Sequence, residues 1–397
     1  MTGTTGRLSP MGMRVLLTSP AGLGHIHPMV PLARTMIARG HDVLWAAPAD
    51  GVDHVRQAGI RAVATGSAGL MHPAEVVRRY PELRDLSPAE MPNVLFGKMF
   101  GAVATPSMLA DLAPVALEWR PDLIVADAAE FAGHIVAAEL GVPSVTKGFG
   151  PVLPARRVAG AAEEVAPLWR ERGLEPRPYG GSFDHLYLDV YPPTLQTEPG
   201  SHIPRRQLLR PVAYDGHGEA TMALPLPTAR VDAPLVYATM GTVFTDPAPL
   251  RVLVNALGDL PVRTLITVGS RGDPASLGPQ PPHVRVERYV PQTRVLAHCD
   301  LVVSHAGSGT VLATLGLGLA QLCVPQGADQ FLNAAAVAAA GAGIALMTGE
   351  ATTDAVRNAV LRLLDDESFR TASRRVSASI DAMPSPDDVG AVLEALA

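Results

Sequence analysis

The chain is 397 residues long, enough for two domains of roughly 150–200 residues that each bury a core. It is 47% hydrophobic and 18% charged, the balance of a soluble globular protein, and its net charge of −6 argues against nucleic acid or an anionic membrane as the main partner. The two cysteines, Cys299 and Cys323, stand in apolar or strand-like settings and read as packing residues rather than as a disulfide or metal pair.

Residues 1–12 are polar and Gly-rich and do not resemble a secretory signal, so a cytoplasmic protein is expected. Arg14–Ser19 (RVLLTS) predicts a buried strand. The loop 20-PAGLGHIHP-28 follows, then a periodic apolar helix from about Ile26 to Arg39, stopped by Gly40, and a second strand at His41–Ala47. Strand, loop, helix and strand in that order imply a parallel sheet. In the loop, Gly22 and Gly24 allow a tight turn and place His25 at the mouth of the sheet. A histidine there can be neutral near pH 7, as a general base requires; His27, two residues on, is a rival.

Residues 66–112 and 150–210 read as irregular insertions. The first holds Met71, Met91, Met99 and Met108 with Phe96 and Phe100, which suits either an adaptable apolar pocket or helical core packing. The strand grammar returns at Asp122–Ala126, the helix near Phe131–Leu140 and the strand Ser144–Thr146. Asp127, at a strand end, reads either as the carboxylate that orients a histidine or as a helix cap. Asp122 and Glu130 lie nearby without a comparable position.

A Pro-, Gly- and polar-rich tract, roughly Arg210–Pro234, reads as a linker. A second series of units then begins at Leu235–Met240. It continues through a helix near Pro249–Leu257, strands at Thr264–Val268 and Leu301–Ser304, a strand from about Ala320 and a helix from about Gln330. Two doubly wound α/β domains facing each other across a cleft is the economical architecture. The assignment is 13–212 for the first domain, 213–233 for the linker, 234–375 for the second domain, and 376–397 for a C-terminal helix that packs back toward the first. The most apolar tract, Ala334–Met347, is Ala-rich, broken by glycines and too short to span a bilayer.

The second series carries the most informative stretch, 302-VVSHAGSGTVLATLGLGLAQLCVPQGADQ-330. A β-branched run ends at His305 and passes through Gly307, Ser308 and Gly309 into a helix opened by Thr310. Unpaired N–H groups and about half a positive charge at such a helix start suit a diphosphate. Gly241 and Thr242, after the strand LVYATM, offer an N–H and a hydroxyl. Asp329 and Gln330 can bond vicinal hydroxyls, although Asp329 can equally cap its helix. Tyr289, in 289-YVPQ-292, is either a ring for a nucleobase or a surface residue before a turn. With no Asp-x-Asp pair, Cys/His cluster or Walker-type loop, phosphate is left to helix dipole, histidine and hydroxyls, and the reaction to group transfer with a diphosphate leaving group.

Together these segments resemble family 1 glycosyltransferases of the GT-B fold, and within them the actinobacterial enzymes that decorate macrolides, aromatic polyketides and enediynes with deoxysugars. The likeness spans essentially the whole chain. It rests on RVLLTSPAGLGHIHPMVPLA, GHDVLWAAP and PDLIVADAAEFAGHIVAAELGVPSV, then on YVPQ, VVSHAGSGTVLATLGLGLAQLCVPQGADQFLNA and MPSPDDVGAVLEALA. The resemblance implies His25 as general base with Asp127 orienting it, and His305, Gly307 to Thr310 and Thr242 on the donor diphosphate. It further implies Asp329 and Gln330 on sugar hydroxyls and Tyr289 with Val290 at the base. Plant members carry Trp-Asn-Ser at Ser308-Gly309-Thr310 and Trp at Tyr289, so the likeness favours a TDP-deoxyhexose, with a UDP-sugar the alternative. It implies no cofactor and no metal. The expected partners are the nucleotide-sugar donor and a hydrophobic aglycone, for which Met71, Met91, Phe96 and Phe100 are the candidate contacts; monomer and homodimer both stay open. Rival readings are a sugar-nucleotide epimerase, an N-acetylglucosaminyl transferase or a non-catalytic nucleotide-sugar binder. A dehydrogenase would need a full G-x-G-x-x-G turn, which neither GLGHIHP nor HAGSGT supplies.

Overall fold

The computed structural model describes residues 12–68, 73–87, 90–216, 223–241, 247–269 and 272–397. Two parallel sheets organise them. The first contains β1 (Arg14–Thr18), β2 (Asp42–Ala47), β3 (Ala62–Ala64), β4 (Leu123–Asp127), β5 (Ser144–Lys147), β6 (Leu186–Asp189) and β7 (Arg206–Leu208), in the order β3-β2-β1-β4-β5-β6-β7. The second contains β8 (Leu235–Thr239), β9 (Arg263–Thr267), β10 (Val284–Glu287), β11 (Leu301–Ser304), β12 (Ala320–Cys323) and β13 (Gly343–Ala345), in the order β10-β9-β8-β11-β12-β13. All five residues of β4 and of β8 are buried, because helices cover both faces of a parallel sheet.

Strand order reverses between β1 and β4 in one sheet and between β8 and β11 in the other. A crevice opens at the carboxyl ends of strands at such a switch point. His25 follows β1, Asp127 ends β4, Gly241 follows β8 and His305 follows β11. The topology therefore gathers the four predicted positions at two facing sheet edges.

The segment read as an irregular insertion is largely helical. Met91–Phe96, a π-helical stretch Gly97–Ala104 and Thr105–Trp119 run on as one helix of 29 residues. Pro92, Gly97, Gly101, Pro106 and Pro114 hide it from a periodicity reading. The glycines are there for contact. A Cβ on Gly97 would sit 3.2 Å from the Gly160 carbonyl, and one on Gly101 would sit 2.9 Å from the Glu164 Cβ. The partner is the helix Ala155–Glu171, which lies in the second tract read as irregular. By length and composition this 29-residue helix, rather than Ala334–Met347, is apolar enough to cross a membrane; in this fold it packs on Ala155–Glu171.

The chain ends by returning to the first sheet. Helix Glu367–Asp381 runs through residue 376, and the chain turns at 382–385 before helix Pro386–Glu394. Ser385 and Asp388 form a reciprocal capping box at that second start. Arg39, at the end of helix Val30–Ala38, then grips Glu394 through two 2.8 Å bonds and Asp387 through one.

Candidate active site

Gly22 precedes the one-turn helix Leu23–Ile26, which carries His25. Its Nδ1 donates to Asp127 Oδ1 at 2.9 Å. Asp127 is 0% exposed, and the same oxygen accepts from the Ala129 N–H at 2.9 Å, while Oδ2 is buried without a partner. With Nδ1 committed to a carboxylate, Nε2 carries the free lone pair. Phe149 and Phe100 stand edge-on to the imidazole, at centroid distances of 4.9 and 5.7 Å. Burial pulls the His25 pKa down, but the Asp127 charge and hydrogen bond outweigh it, with help from Asp329, and the net result is a raised value.

His27 is excluded from this pairing. Burial and His54 lower it to about 4, and its ring meets Tyr214 edge-on at 5.2 Å. Glu130, rather than Asp127, serves the helix Ala132–Leu140, accepting from the Ala132 and Gly133 N–H groups and from Thr18 Oγ1. Asp122 accepts from the Arg14 N–H.

An apolar cavity opens beside the dyad, walled by Pro20, Pro48, Phe100, Thr105, Met108 and Ala129. Phe100 lies in the π-helical stretch and touches both the cavity and His25. Phe96 packs behind it, 4.8 Å from Phe100 and 6.3 Å from Phe131 by ring centroids, and Met91 is half-buried on the same helix. Met71 and Thr242 lie outside the described residues.

Across the cleft, the helix expected to open at Thr310 opens two residues earlier, spanning Ser308–Gly316 with Gly307 as its cap. Ser308, Gly309 and Thr310 are thus its first turn, whose N–H groups have no partner inside the helix. His305 is held between Gly241 and Gly307. A Cβ on either would fall 2.7 or 2.5 Å from the ring. Burial lowers its pKa to about 4, against a smaller opposing effect of Asp329. Near pH 7 the ring is therefore neutral, able to offer a ligand a hydrogen bond and no charge.

The polar cluster after β12 is tied into a network. Ser308 donates to Asp329 Oδ2 at 2.6 Å, and Asn333 Nδ2 donates to both, at 2.9 and 3.0 Å. Tyr191, which follows β6 of the first sheet, donates to Asn333 Oδ1 at 3.0 Å and so links the two halves. Gln330 is 4% exposed, and its carboxamide oxygen accepts from the Gln326 and Gly327 N–H groups; it holds its own loop rather than presenting that oxygen to the cleft. Thr310 bonds Gln292 at 3.2 Å. Tyr289 is 46% exposed and donates to the Asp215 carbonyl, while Val290 is buried. Cys299 and Cys323 are buried free thiols, which burial raises to about 12.

One group escaped the sequence reading. Lys147 ends β5 beside Asp127, and the next residues reach both halves of the site: Phe149 meets His25, and a Cβ on Gly150 would fall 2.0 Å from Ser308 Oγ. The signal was K-G-F-G at a strand end, where a lysine ordinarily reads as solvated.

Known proteins carry the same architecture. The family described as "Erythromycin biosynthesis protein CIII-like, N-terminal domain" matches residues 34–218, and its C-terminal counterpart matches 251–396. Elloramycin glycosyltransferase ElmGT of Streptomyces olivaceus is 35% identical over 96% of this chain and 97% of its own. L-demethylnoviosyl transferase of Streptomyces niveus is 34% identical over 94% and 96%. Among solved structures, the spinosyn rhamnosyltransferase SpnG superimposes with a TM-score of 0.81 at 31% identity, covering 96% of this chain and all of SpnG. It is also solved with thymidine diphosphate and with the spinosyn aglycone. The switch-point site thus stands in a chain matched along both its halves, and the protein belongs to the erythromycin biosynthesis protein CIII-like family and is a glycosyltransferase of the GT-B fold.

Proposed function

We propose that this glycosyltransferase moves a deoxyhexose from a TDP-sugar to a hydroxyl of a hydrophobic aglycone, inverting the anomeric carbon. In this reading residues 13–212 bind the acceptor and 234–375 the donor, joined by 213–233, with 376–397 folded back on the first half. His25 Nε2 takes the proton of the acceptor hydroxyl as its oxygen bonds to the anomeric carbon. The bond to the diphosphate oxygen breaks, and TDP leaves with the electron pair. Asp127 stabilises the imidazolium so formed. The first turn of helix Ser308–Gly316 and the neutral His305 meet the charge growing on the diphosphate. Tyr289 and Val290 receive the base, and Asp329 meets the sugar ring.

The observation that carries this reading is the 2.9 Å His25–Asp127 bond beside an apolar cavity, opposite a helix start with no side-chain cap. SpnG, a rhamnosyltransferase solved with thymidine diphosphate, supports TDP in particular. A thermal shift against TDP, UDP, GDP and NAD tests the donor. Ligand at 100 times its dissociation constant stabilises by about 2.7 kcal/mol, a shift of several degrees. TDP should exceed UDP. UDP alone would overturn the donor, and NAD alone the site. His25→Ala should lower turnover roughly 10²–10⁴-fold with TDP binding retained; lost TDP binding with turnover intact would refute the base.

A further inference from the structure

Lys147 is one of two lysines in the chain, and it is 1% exposed. It is the register partner of Asp127 in the neighbouring parallel strand, so both side chains leave the sheet on the same side. Its amine makes no hydrogen bond or ion pair among the described residues. One strand over, Asp127 Oδ2 is buried and unpartnered. Burying an amine without a partner costs free energy that a methionine of the same length would not incur. Two groups of opposite charge on adjacent strand ends, beside a His–Asp pair, point to an electrostatic role.

We propose that Lys147 is a positioning residue of the transfer reaction, whose ammonium balances Asp127 and, by opposing an imidazolium, keeps His25 free to accept the proton of the acceptor. The proposal rests on His25 as general base. Its physical content is the sign of one interaction. Asp127 and, more weakly, Asp329 favour a protonated His25, whereas Lys147 opposes it. Burial brings the Lys147 amine down to about 7, against the attraction of Asp127, so it is charged in the acid range where His25 would otherwise be silenced. The other titratable groups around this pair are Glu130 beyond β4, Tyr187 and Asp189 on β6, and Asp329 across the cleft. Among the described residues, Lys147 is the cation whose charge opposes a protonated His25.

Ring resonances of the labelled protein report the His25 midpoint directly, with His25→Gln providing the assignment. In Lys147→Met, which keeps the volume and loses the charge, the midpoint should rise by roughly one pH unit; Lys147→Arg should keep it near wild type. An unmoved midpoint in folded Lys147→Met overturns the proposal, as would a raised donor KM with no change in midpoint, which would make Lys147 a donor contact. The acid limb of kcat/KM should follow the midpoint upward. If the midpoint moves and the limb does not, His25 is not the base, and the electrostatic coupling survives without the catalytic role.

Discussion

The ring of His305 lies between two glycines that have different reasons to be glycine. Gly241 has φ +78, a backbone state in which any side chain is strained. Gly307 has ordinary extended angles as helix cap, so its requirement is space alone: a Cβ would fall 2.5 Å from His305 Nε2. Gly307→Ala should therefore fold normally, displace the imidazole and weaken TDP binding by about tenfold, roughly 1.4 kcal/mol. Calorimetry with TDP checks it, and an unchanged Kd would mean that the ring does not meet the diphosphate. Strain is also visible at Ala306 (φ +63) and Ala328 (φ +55), in the two loops that flank this helix start. Non-glycine residues rarely hold such angles unless the surroundings impose them, and they gather at functional sites. At this scale the sequence exposed His25, Asp127 and His305, since each ends or follows a buried β-branched run. It hid the neutral state of His305, which follows from enclosure, and it hid Lys147, whose partner lies 20 residues away and comes near only through strand pairing.

Among elements, the central strands were legible, whereas the long helix and the short strands β3, β6, β7 and β13 were not, β6 and β7 lying in the tract read as irregular. β1, β4, β8 and β11 are uninterrupted apolar runs that end in polar residues, and burial on both faces writes that pattern directly. Helix 91–119 carries prolines at its start and interior and two glycines in its π-helical stretch, all of which a periodicity reading takes as breaks. Its stability comes from the face pressed on Ala155–Glu171, a contact between segments more than fifty residues apart. Gly101→Val should accordingly destabilise by about 1–3 kcal/mol in urea unfolding, because the added atoms meet the Ala161 carbonyl at about 3.0 Å and the Glu164 side chain. Gly258→Ala, where a Cβ meets nothing within 4 Å, is the control and should stay within about 1 kcal/mol of wild type. A Gly101→Val protein as stable as the control would show that the two helices can separate without cost. The same contact fixes Phe100, so this variant should also slow transfer.

For the molecule as a whole, the enclosed histidines set an acid limit. His27 and His305 are lowered to about 4 and His134 to about 3, each chiefly by burial. An unfolded chain protonates these groups near 6.5 and the folded one does not, so stability should fall as pH drops from 6.5 toward 4, each group contributing at most about 1.4 kcal/mol per unit. His25 acts with opposite sign: its pKa is raised, so its contribution is complete below 6.5 and fades as pH rises past the raised value. Thermal midpoints across pH 4.5–7.5 test this, and His134→Gln should flatten part of the acid slope. A flat profile would mean that the histidines are open to solvent.

The network at Asp329 bears on which sugars the cleft tolerates. A site normally rejects a sugar that lacks one hydroxyl because the protein group waiting for it is left dry and unbonded. Asp329 Oδ2 is not waiting. Ser308 and Asn333 already satisfy its Oδ2, and Tyr191 steadies Asn333 from the opposite domain. A hydroxyl arriving at Oδ2 would exchange one bond for another, and a ring carbon without one would leave that oxygen bonded as before. If Asp329 meets the sugar as proposed, a deoxygenated ring position opposite that oxygen would leave its bonds to Ser308 and Asn333 undisturbed.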